Sequence, residues 1–271
     1  MRDTRATIGH FSIGLIVLSL LACDVSTTTP ANTQARTVAP APVRTVIVEK
    51  SDESFDLQAP ILPAYETAAE RSLNGKNDAA SDYRTANKQW FAQTVPPKPG
   101  KFRPFGEWEE MSEVWTTYSE GMPGSKAVRR MFAEQTIHFI RDSKPLVKAY
   151  VIVKNNAVQN DFLAAVDQYG ISNDEKQNIV MIQMPSQTIW HIDYGPFPLI
   201  DKKTGNVAFT DYMYYGNRYL DDALPTRMGR LVYKTLTTFR MPFPFEGGNI
   251  QSDGVSMCMT STRALKNTGY S

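Results

Sequence analysis

Two short segments carry residue types that could hold a ligand. Residues 190–196 read WHIDYGP and place a carboxylate, Asp193, shortly before a glycine and a proline. Residues 245–254 read FEGGNIQSDG and place Glu246 directly before two glycines. Glycines beside a carboxylate let the backbone come close to another group, and loops that follow strands are common ligand sites in α/β proteins. Each segment alone is also typical of an ordinary turn, so neither decides the chemistry by itself.

A third segment completes a pattern. Residues 106–115 read GEWEEMSEVW, and the three segments in this order resemble the agmatine deiminase and bacterial (Porphyromonas-type) peptidylarginine deiminase family of the guanidino-group-modifying superfamily. The first family signature is usually tryptophan, any residue, arginine, aspartate, any residue, glycine, proline. The second is usually glutamate, two glycines, asparagine or serine, an apolar residue, histidine, any residue, aspartate, glycine. The matching positions are Trp190, Asp193, Gly195, Pro196, Glu246, Gly247, Gly248, Asn249, Ile250, Asp253 and Gly254. Ile192 replaces the arginine and Gln251 the histidine, and the resemblance covers roughly Phe102 to Ser271.

The resemblance implies a site for a guanidinium group. A guanidinium is a planar cation with a fixed fork of N–H donors, and carboxylates hold it best. By resemblance, Asp193 is one such carboxylate, and Glu246 is a direct or indirect partner. Trp190 would wall the pocket or stack on the guanidinium face.

Arg218 has two interpretations. It lies where peptidylarginine deiminases carry arginines that bind a peptide carboxylate, which makes it a candidate for substrate binding. The alternative is a surface arginine paired with Asp221 or Asp222.

The reaction implied by the resemblance is hydrolysis of the guanidino group of an arginine derivative, agmatine or peptidyl-arginine, to a ureido product and ammonia. A cysteine thiolate attacks the guanidinium carbon and a histidine moves protons, with no metal or organic cofactor. The family's Gly-His-x-Asp motif and carboxyl-terminal cysteine motif are absent from this sequence. Cys258 lies in an apolar run typical of a small buried thiol, His138 sits on a predicted helix, and His191 either points outward or touches substrate.

We therefore expect the amino-terminal portion of a deiminase, inactive alone because its nucleophile is missing. A non-catalytic surface lipoprotein that binds guanidinium ligands and a non-functional truncated remnant are the alternatives.

The elements that must position these residues alternate between strand and helix. Patterns of apolar residues predict strands over 112–119, 148–154, 178–184, 197–201 and 207–212, and around 250 and 255–260. They predict helices from Ser125, from Asn155 to Gly170 and from Pro225 to about Thr238. The fold class is α/β with mixed sheets. By resemblance it is roughly the first half of a five-unit, pentein-like α/β propeller.

The amino end is typical of a targeting sequence. Arg2 and Arg5 precede the uncharged apolar run FSIGLIVLSLLA at 11–22, which ends at Cys23. This predicts a lipoprotein signal peptide over 1–23, with the lipid on Cys23, and an exported, membrane-anchored protein on the periplasmic or cell-surface side. Residues 24–101 are expected to form a flexible tether and lead-in, and 102–271 a partial deiminase domain.

Composition narrows the classes of partner. The sequence has 29 Lys and Arg against 28 Asp and Glu, a net charge of +1, which argues against a nucleic-acid binder. Two cysteines and three histidines make a structural metal site unexpected.

Overall fold

The computed structural model describes residues 43–51, 56, 59–122, 124–143, 147–262 and 264, which form an α/β fold. The elements are β1 (Arg44–Ile47), α1 (Ala68–Ser72), α2 (Asp78–Ala86), α3 (Lys88–Phe91), β2 (Phe102–Pro104), β3 (Glu113–Tyr118), α4 (Lys126–Asp142), β4 (Lys148–Val153), α5 (Asn156–Gln168), α6 (Asn173–Lys176), β5 (Ile179–Gln183), α7 (His191–Tyr194), β6 (Phe197–Asp201), β7 (Val207–Met213), α8 (Tyr219–Asp222), α9 (Leu224–Arg227), β8 (Thr238–Pro244), β9 (Ile250–Ser252) and β10 (Cys258–Thr260). A π-helical turn covers Met228–Val232, and a 3-10 turn covers Gly247–Asn249.

The first sheet is parallel and contains the main core. Its strand order is β1-β5-β4-β3. Every residue of β5 is buried, as expected of a central parallel strand. Helices α4 and α5 contribute Phe132, Ile137, Val158 and Phe162 to the core that also holds Val151. The predictions of β3, α4, β4, α5 and β5 are confirmed, because local apolar patterns specify these elements.

The ends of α5 follow the sequence signals closely. The side chain of Asn155 accepts hydrogen bonds from the backbone of Ala157 and Val158, which satisfies two free N–H groups of the first turn. Gly170 follows the helix with a φ of +87°, a conformation that favours glycine. Ser125 occupies the corresponding position before α4, although its side chain makes no capping hydrogen bond.

The second sheet has the order β2-β6-β7-β8. The predicted strands over 197–201 and 207–212 form as β6 and β7 and pair antiparallel around a turn at residues 202–205. Asp201 accepts hydrogen bonds from the backbone N–H groups of Lys203 and Thr204, and Gly205 has a φ of +74°. These contacts close the turn.

The predicted helix from Pro225 to Thr238 is wrong in its length. Helix α9 ends at Arg227, the π-helical turn ends at Val232, and β8 begins at Thr238 and pairs parallel with β7. Two features end the helix early: Lys234 has a φ of +61°, and a Cβ at Gly229 would lie 2.1 Å from the Thr238 Oγ1 atom. The start of β8 thus packs against the π-helical turn that precedes it.

The described part of the segment before residue 102, which was expected to be a flexible tether and lead-in, contains regular elements. Strand β1 adds to the parallel sheet beside β5, and helices α1 to α3 form in the same region. Helix α1 has a capping box in which Thr67 and Glu70 bind each other's backbone. This region lacks apolar periodicity because polar groups provide many of its contacts. The signal peptide over 1–23, with Cys23, and residues 24–42 of the tether lie outside the described residues.

Within the same described ranges, no helix combines the length and the apolar character needed to cross a membrane.

Candidate functional site

Asp193 lies in the short helix α7, directly against the paired glycines of the second segment. A Cβ added to Gly248 would lie 2.4 Å from the Asp193 Oδ1 atom, and one added to Gly247 would lie 2.4 Å from the Ile192 backbone oxygen. Real Cβ atoms do not approach so closely. The two segments singled out in the sequence therefore meet, and the glycines are required for the contact between them.

Asp193 is a half-buried carboxylate whose surroundings disfavour its charged form. Burial, followed by the negative charge of Glu246, raises the pKa of Asp193 to about 6. A hydrogen bond from the Gly248 backbone and the charge of Arg218 oppose the increase. A desolvated carboxylate beside a second carboxylate favours a proton or another cation.

Glu246 is fixed by two donors. The Tyr215 hydroxyl donates to its Oε1 atom, and the Asn249 side-chain amide donates to its Oε2 atom at 2.8 Å. Burial and the hydrogen bond to Glu246 raise the pKa of Tyr215 well above its ordinary value, so the phenol keeps its proton. Glu246 therefore contributes a fixed negative charge near Asp193.

Trp190 immediately precedes α7 and is held in place. Its indole Nε1 atom donates to the backbone oxygen of Leu62 at 2.7 Å, and its ring packs against the cluster that contains Tyr194 and Tyr214. This fixed aromatic face is compatible with the expected wall of a pocket.

Arg218 is not a surface residue. Its side chain is 0% exposed, and its Nε and Nη2 atoms lie 2.8 and 3.1 Å from the two carboxylate oxygens of Glu70. The interpretation as a surface arginine paired with Asp221 or Asp222 is wrong. Asp221 accepts hydrogen bonds from the Gln187 backbone and the Thr188 hydroxyl. Asp222 forms ion pairs with Arg84 and Arg240. The role in substrate binding stays a prediction.

His191 does not point outward. Its Nδ1 atom lies 3.1 Å from the Thr117 Oγ1 atom, and burial lowers its pKa to about 4, so it is neutral at physiological pH. The Tyr194 hydroxyl donates to the Thr188 backbone oxygen at 2.7 Å and lies 3.0 Å from the same Thr117 oxygen. This buried network anchors α7 to β3, and no motif indicated it.

Cys258 corrects another expectation. It is exposed rather than buried, because it lies in the small β9–β10 pair, opposite Ser252, where Met257 and Met259 are exposed as well. His138 lies exposed on α4, 3.1 Å from Asp142. In the part of the chain that the structure describes, no contact joins Cys258 to a histidine, and no group of three His, Cys, Asp or Glu side chains could hold a metal ion.

The third segment joins the second one. Glu109 accepts a hydrogen bond from the Gly106 backbone at 2.9 Å and pairs with Arg103, which also donates to the Gly254 backbone oxygen at 3.0 Å. A Cβ on Gly254 would lie 2.5 Å from the Glu109 Oε1 atom. The second segment thus contacts both the first and the third.

An α/β fold that places a desolvated carboxylate against paired glycines, beside a second carboxylate and a fixed indole, defines a protein with a site suited to a cationic group. The model of the Porphyromonas-type peptidyl-arginine deiminase family matches residues 103–269. The chain belongs to this family.

Similar proteins include two named as agmatine deiminases, from Mycoplasma mycoides and Mycoplasma capricolum. Each is 24% identical over 188 residues, which is 64% of this chain and 47% of the relative. The chain thus spans about half the length of the curated relatives it matches. Among solved structures, C. jejuni agmatine deiminase matches with a TM-score of 0.50 and 17% identity, over 65% of this chain and 50% of that chain. A structure named as a peptidyl-arginine deiminase matches with a TM-score of 0.50 and 19% identity, over 62% and 48%. At these identities the solved structures show the α/β fold alone.

Proposed function

We propose that this chain carries the guanidinium-binding part of a deiminase that hydrolyses the guanidino group of an arginine derivative, agmatine or peptidyl-arginine, to a ureido product and ammonia. The observation that carries the proposal is Asp193, a carboxylate whose burial and proximity to Glu246 raise its pKa to about 6. A planar cation that donates two N–H groups would stabilise the charged form of Asp193 and form charge-assisted hydrogen bonds with it. Membership of the deiminase family supports the assignment of the cation as a guanidinium.

The chemistry needs a nucleophile in addition to the carboxylate pair of Asp193 and Glu246, which we name the clamp. A cysteine thiolate adds to the guanidino carbon, ammonia leaves with a proton from a general acid, and water hydrolyses the amidino-thioether to the ureido product and the thiolate. The exposed position of Cys258 and its lack of a histidine contact within the described residues favour a nucleophile from another part of the complete protein. Asp193 would hold the guanidinium in place for this attack, and no cofactor is required.

We further propose that the complete fold is a five-unit propeller of which this chain provides roughly the first half. The coverage of 50% of the C. jejuni structure supports the fraction of about one half. Diffraction from crystals of the complete protein would test the number of units.

Export remains part of the proposal. The apolar run before Cys23 supports a lipid anchor at that residue. Cells that express the full chain should incorporate labelled fatty acid into the protein, and the Cys23→Ser variant should not. Equal labelling of the two proteins would refute the anchor.

Calorimetry with agmatine and with an arginine-containing peptide tests the binding function on the full 271-residue chain. We expect one ligand per chain, and an affinity lower by about tenfold or more in Asp193→Asn, because a charged hydrogen-bond acceptor is lost. Asp142→Asn, at the exposed end of α4, is the matched control and should bind as the unaltered chain does. Absence of heat with both ligands would refute the site.

Turnover separates catalysis from binding alone. If the 271-residue chain forms a ureido product and Cys258→Ala abolishes it, the proposal of an external nucleophile is wrong. If the complete protein also binds guanidines without turnover, the non-catalytic lipoprotein replaces the deiminase.

A further inference from the structure

Residues 62–74, which we name the strap, accept hydrogen bonds from three residues in and beside the candidate site, Trp190, Tyr214 and Arg218. The Leu62 backbone oxygen accepts from Trp190 at 2.7 Å, and the Tyr65 backbone oxygen accepts from Arg218 at 2.9 Å. The Tyr214 hydroxyl donates to the Ala64 backbone oxygen at 3.4 Å. The strap precedes residues 103–269, the range that matches the family model, so these contacts are additional to the family segments.

Glu70 is the charged member of the strap and is held from several sides. Its carboxylate accepts from Arg218 at 2.8 and 3.1 Å and from the Thr67 backbone at 2.7 Å. Its own backbone oxygen accepts from the Asn217 side chain at 2.6 Å. The Arg218 side chain is 0% exposed and that of Glu70 is 13% exposed, so water screens the pair poorly.

Arg218 carries the same chemical group that the site is proposed to bind. Its Cζ atom lies 5.0 Å from the centre of the Tyr215 ring, and the hydroxyl of that ring donates to Glu246. One aromatic side chain therefore separates the chain's own guanidinium from the clamp of Asp193 and Glu246. A guanidinium so close to two carboxylates would compete with a ligand unless another carboxylate holds it.

We infer that Glu70 is a positioning residue that holds the Arg218 guanidinium away from the Asp193–Glu246 clamp and thereby leaves the clamp open to a guanidinium ligand. The inference rests on the proposed function for the identity of that ligand. Without Glu70, Arg218 would be a buried charge in need of a new partner.

The available partners favour the clamp. Arg218 interacts electrostatically with Asp193 and with Asp221. Asp221 already accepts hydrogen bonds from the backbone of Gln187 and from the backbone and hydroxyl of Thr188. Asp193 has no comparable set of donors among the described contacts, so an unheld Arg218 should turn towards it.

The test compares Glu70→Gln, Arg218→Gln and the double variant in the full chain, with Glu66→Gln as the matched control on the same strap. Agmatine affinity is measured by calorimetry. In Glu70→Gln we expect a loss of about tenfold, since affinity falls with the fraction of molecules whose clamp is free. The double variant should bind more tightly than Glu70→Gln, because the internal competitor is gone.

A second measurement does not depend on ligand binding. The titration of the Asp193 side-chain carbonyl carbon is followed by NMR in the same proteins. The groups that act on this carboxylate are Glu246, Arg218, Tyr214 and the Gly248 backbone N–H. The midpoint should fall in Glu70→Gln, because an ion pair with Arg218 stabilises the charged form. In the double variant it should rise to at least the value of the unaltered chain, because Arg218 no longer lowers it.

The outcomes separate this inference from the proposed function. If the unaltered chain binds no agmatine, the proposed function fails, and the titration still decides the role of Glu70. If the double variant binds as weakly as Glu70→Gln, Glu70 is only structural and the inference is wrong. Loss of binding in Arg218→Gln alone would also overturn it, because Arg218 would then contact the ligand. Should Glu70→Gln unfold, Glu70→Asp provides a milder change that Arg218→Gln should likewise rescue.

Discussion

The raised pKa of Asp193 predicts that guanidine binding depends on pH in an unusual range. Burial and Glu246 raise this pKa to about 6 in the free protein, and a bound guanidinium would lower it again. Binding therefore requires the ionised form and releases a proton below pH 6. The ionised fraction is about ten elevenths at pH 7 and about one eleventh at pH 5, so affinity should fall about tenfold, or about 1.4 kcal/mol.

Calorimetry with agmatine at pH 5, 6, 7 and 8 measures this effect. The ligand keeps its charge throughout this range because guanidinium and amine groups titrate well above it. Repeating the titration in two buffers with different ionisation enthalpies counts the protons released, and we expect nearly one at pH 5. An aspartate at its ordinary pKa would give constant affinity over the whole range.

Two other carboxylates require a control. Burial raises the pKa values of Asp211 and Asp221 to about 7, so both titrate in the same window, whereas that of His191 is lowered to about 4 and lies below it. In Asp193→Asn, Asp211 and Asp221 are unchanged, and the residual binding should lose its pH dependence. If the variant shows the same tenfold change, or the unaltered chain shows none, the assignment of the cation site to Asp193 is refuted.

Two further predictions concern the support of the site. Gly248→Ala should weaken agmatine binding at least about tenfold without unfolding the chain, because the added Cβ displaces the Asp193 carboxylate. Gly216→Ala should be neutral in the same calorimetric assay, because its Cβ would lie 3.7 Å from the Asn74 Oδ1 atom, an ordinary contact. Arg240→Met should lower the free energy of unfolding in urea by about 3–5 kcal/mol, because it removes the arginine that pairs with buried Asp211 and leaves buried Asp222 with Arg84 alone. Lys176→Met, which removes a more exposed ion pair, should cost about 0–1 kcal/mol, and equal losses would contradict the assignment of Arg240 to a buried charge cluster.

The sequence predicted the elements whose signals are local. Strand β4 and helix α5 follow from a β-branched run and a capped amphipathic pattern, and both formed as expected. The helix after Pro225 was predicted too long, because its end depends on the approach of Gly229 to Thr238, a contact made only after the chain turns back. Periodicity cannot report such a contact.

In the candidate site, too, some contacts were indicated by the sequence and others were not. The signature around Asp193 and the paired glycines indicated which segments meet, since both sides of that contact carry a recognisable motif. The partner of Arg218 could not be predicted, because Glu70 is 148 residues away in sequence and lies in a helix of five residues with no apolar face. Likewise, nothing in the sequence linked Tyr215 to Glu246.

The ion pair between Glu70 and Arg218 also bears on where the functional unit begins. Family signatures start at Gly106, and the matched range starts at residue 103, which suggests that a protein cut near Phe102 would be sufficient. Such a protein would retain the buried Arg218 and lose the carboxylate that neutralises it. It would also lose β1 from the edge of the parallel sheet and the backbone oxygen that holds Trp190. An unpaired buried charge is strongly destabilising, and its most accessible compensation is the clamp itself. The unit proposed to bind a guanidinium therefore includes the strap, although the signatures that identify the family do not.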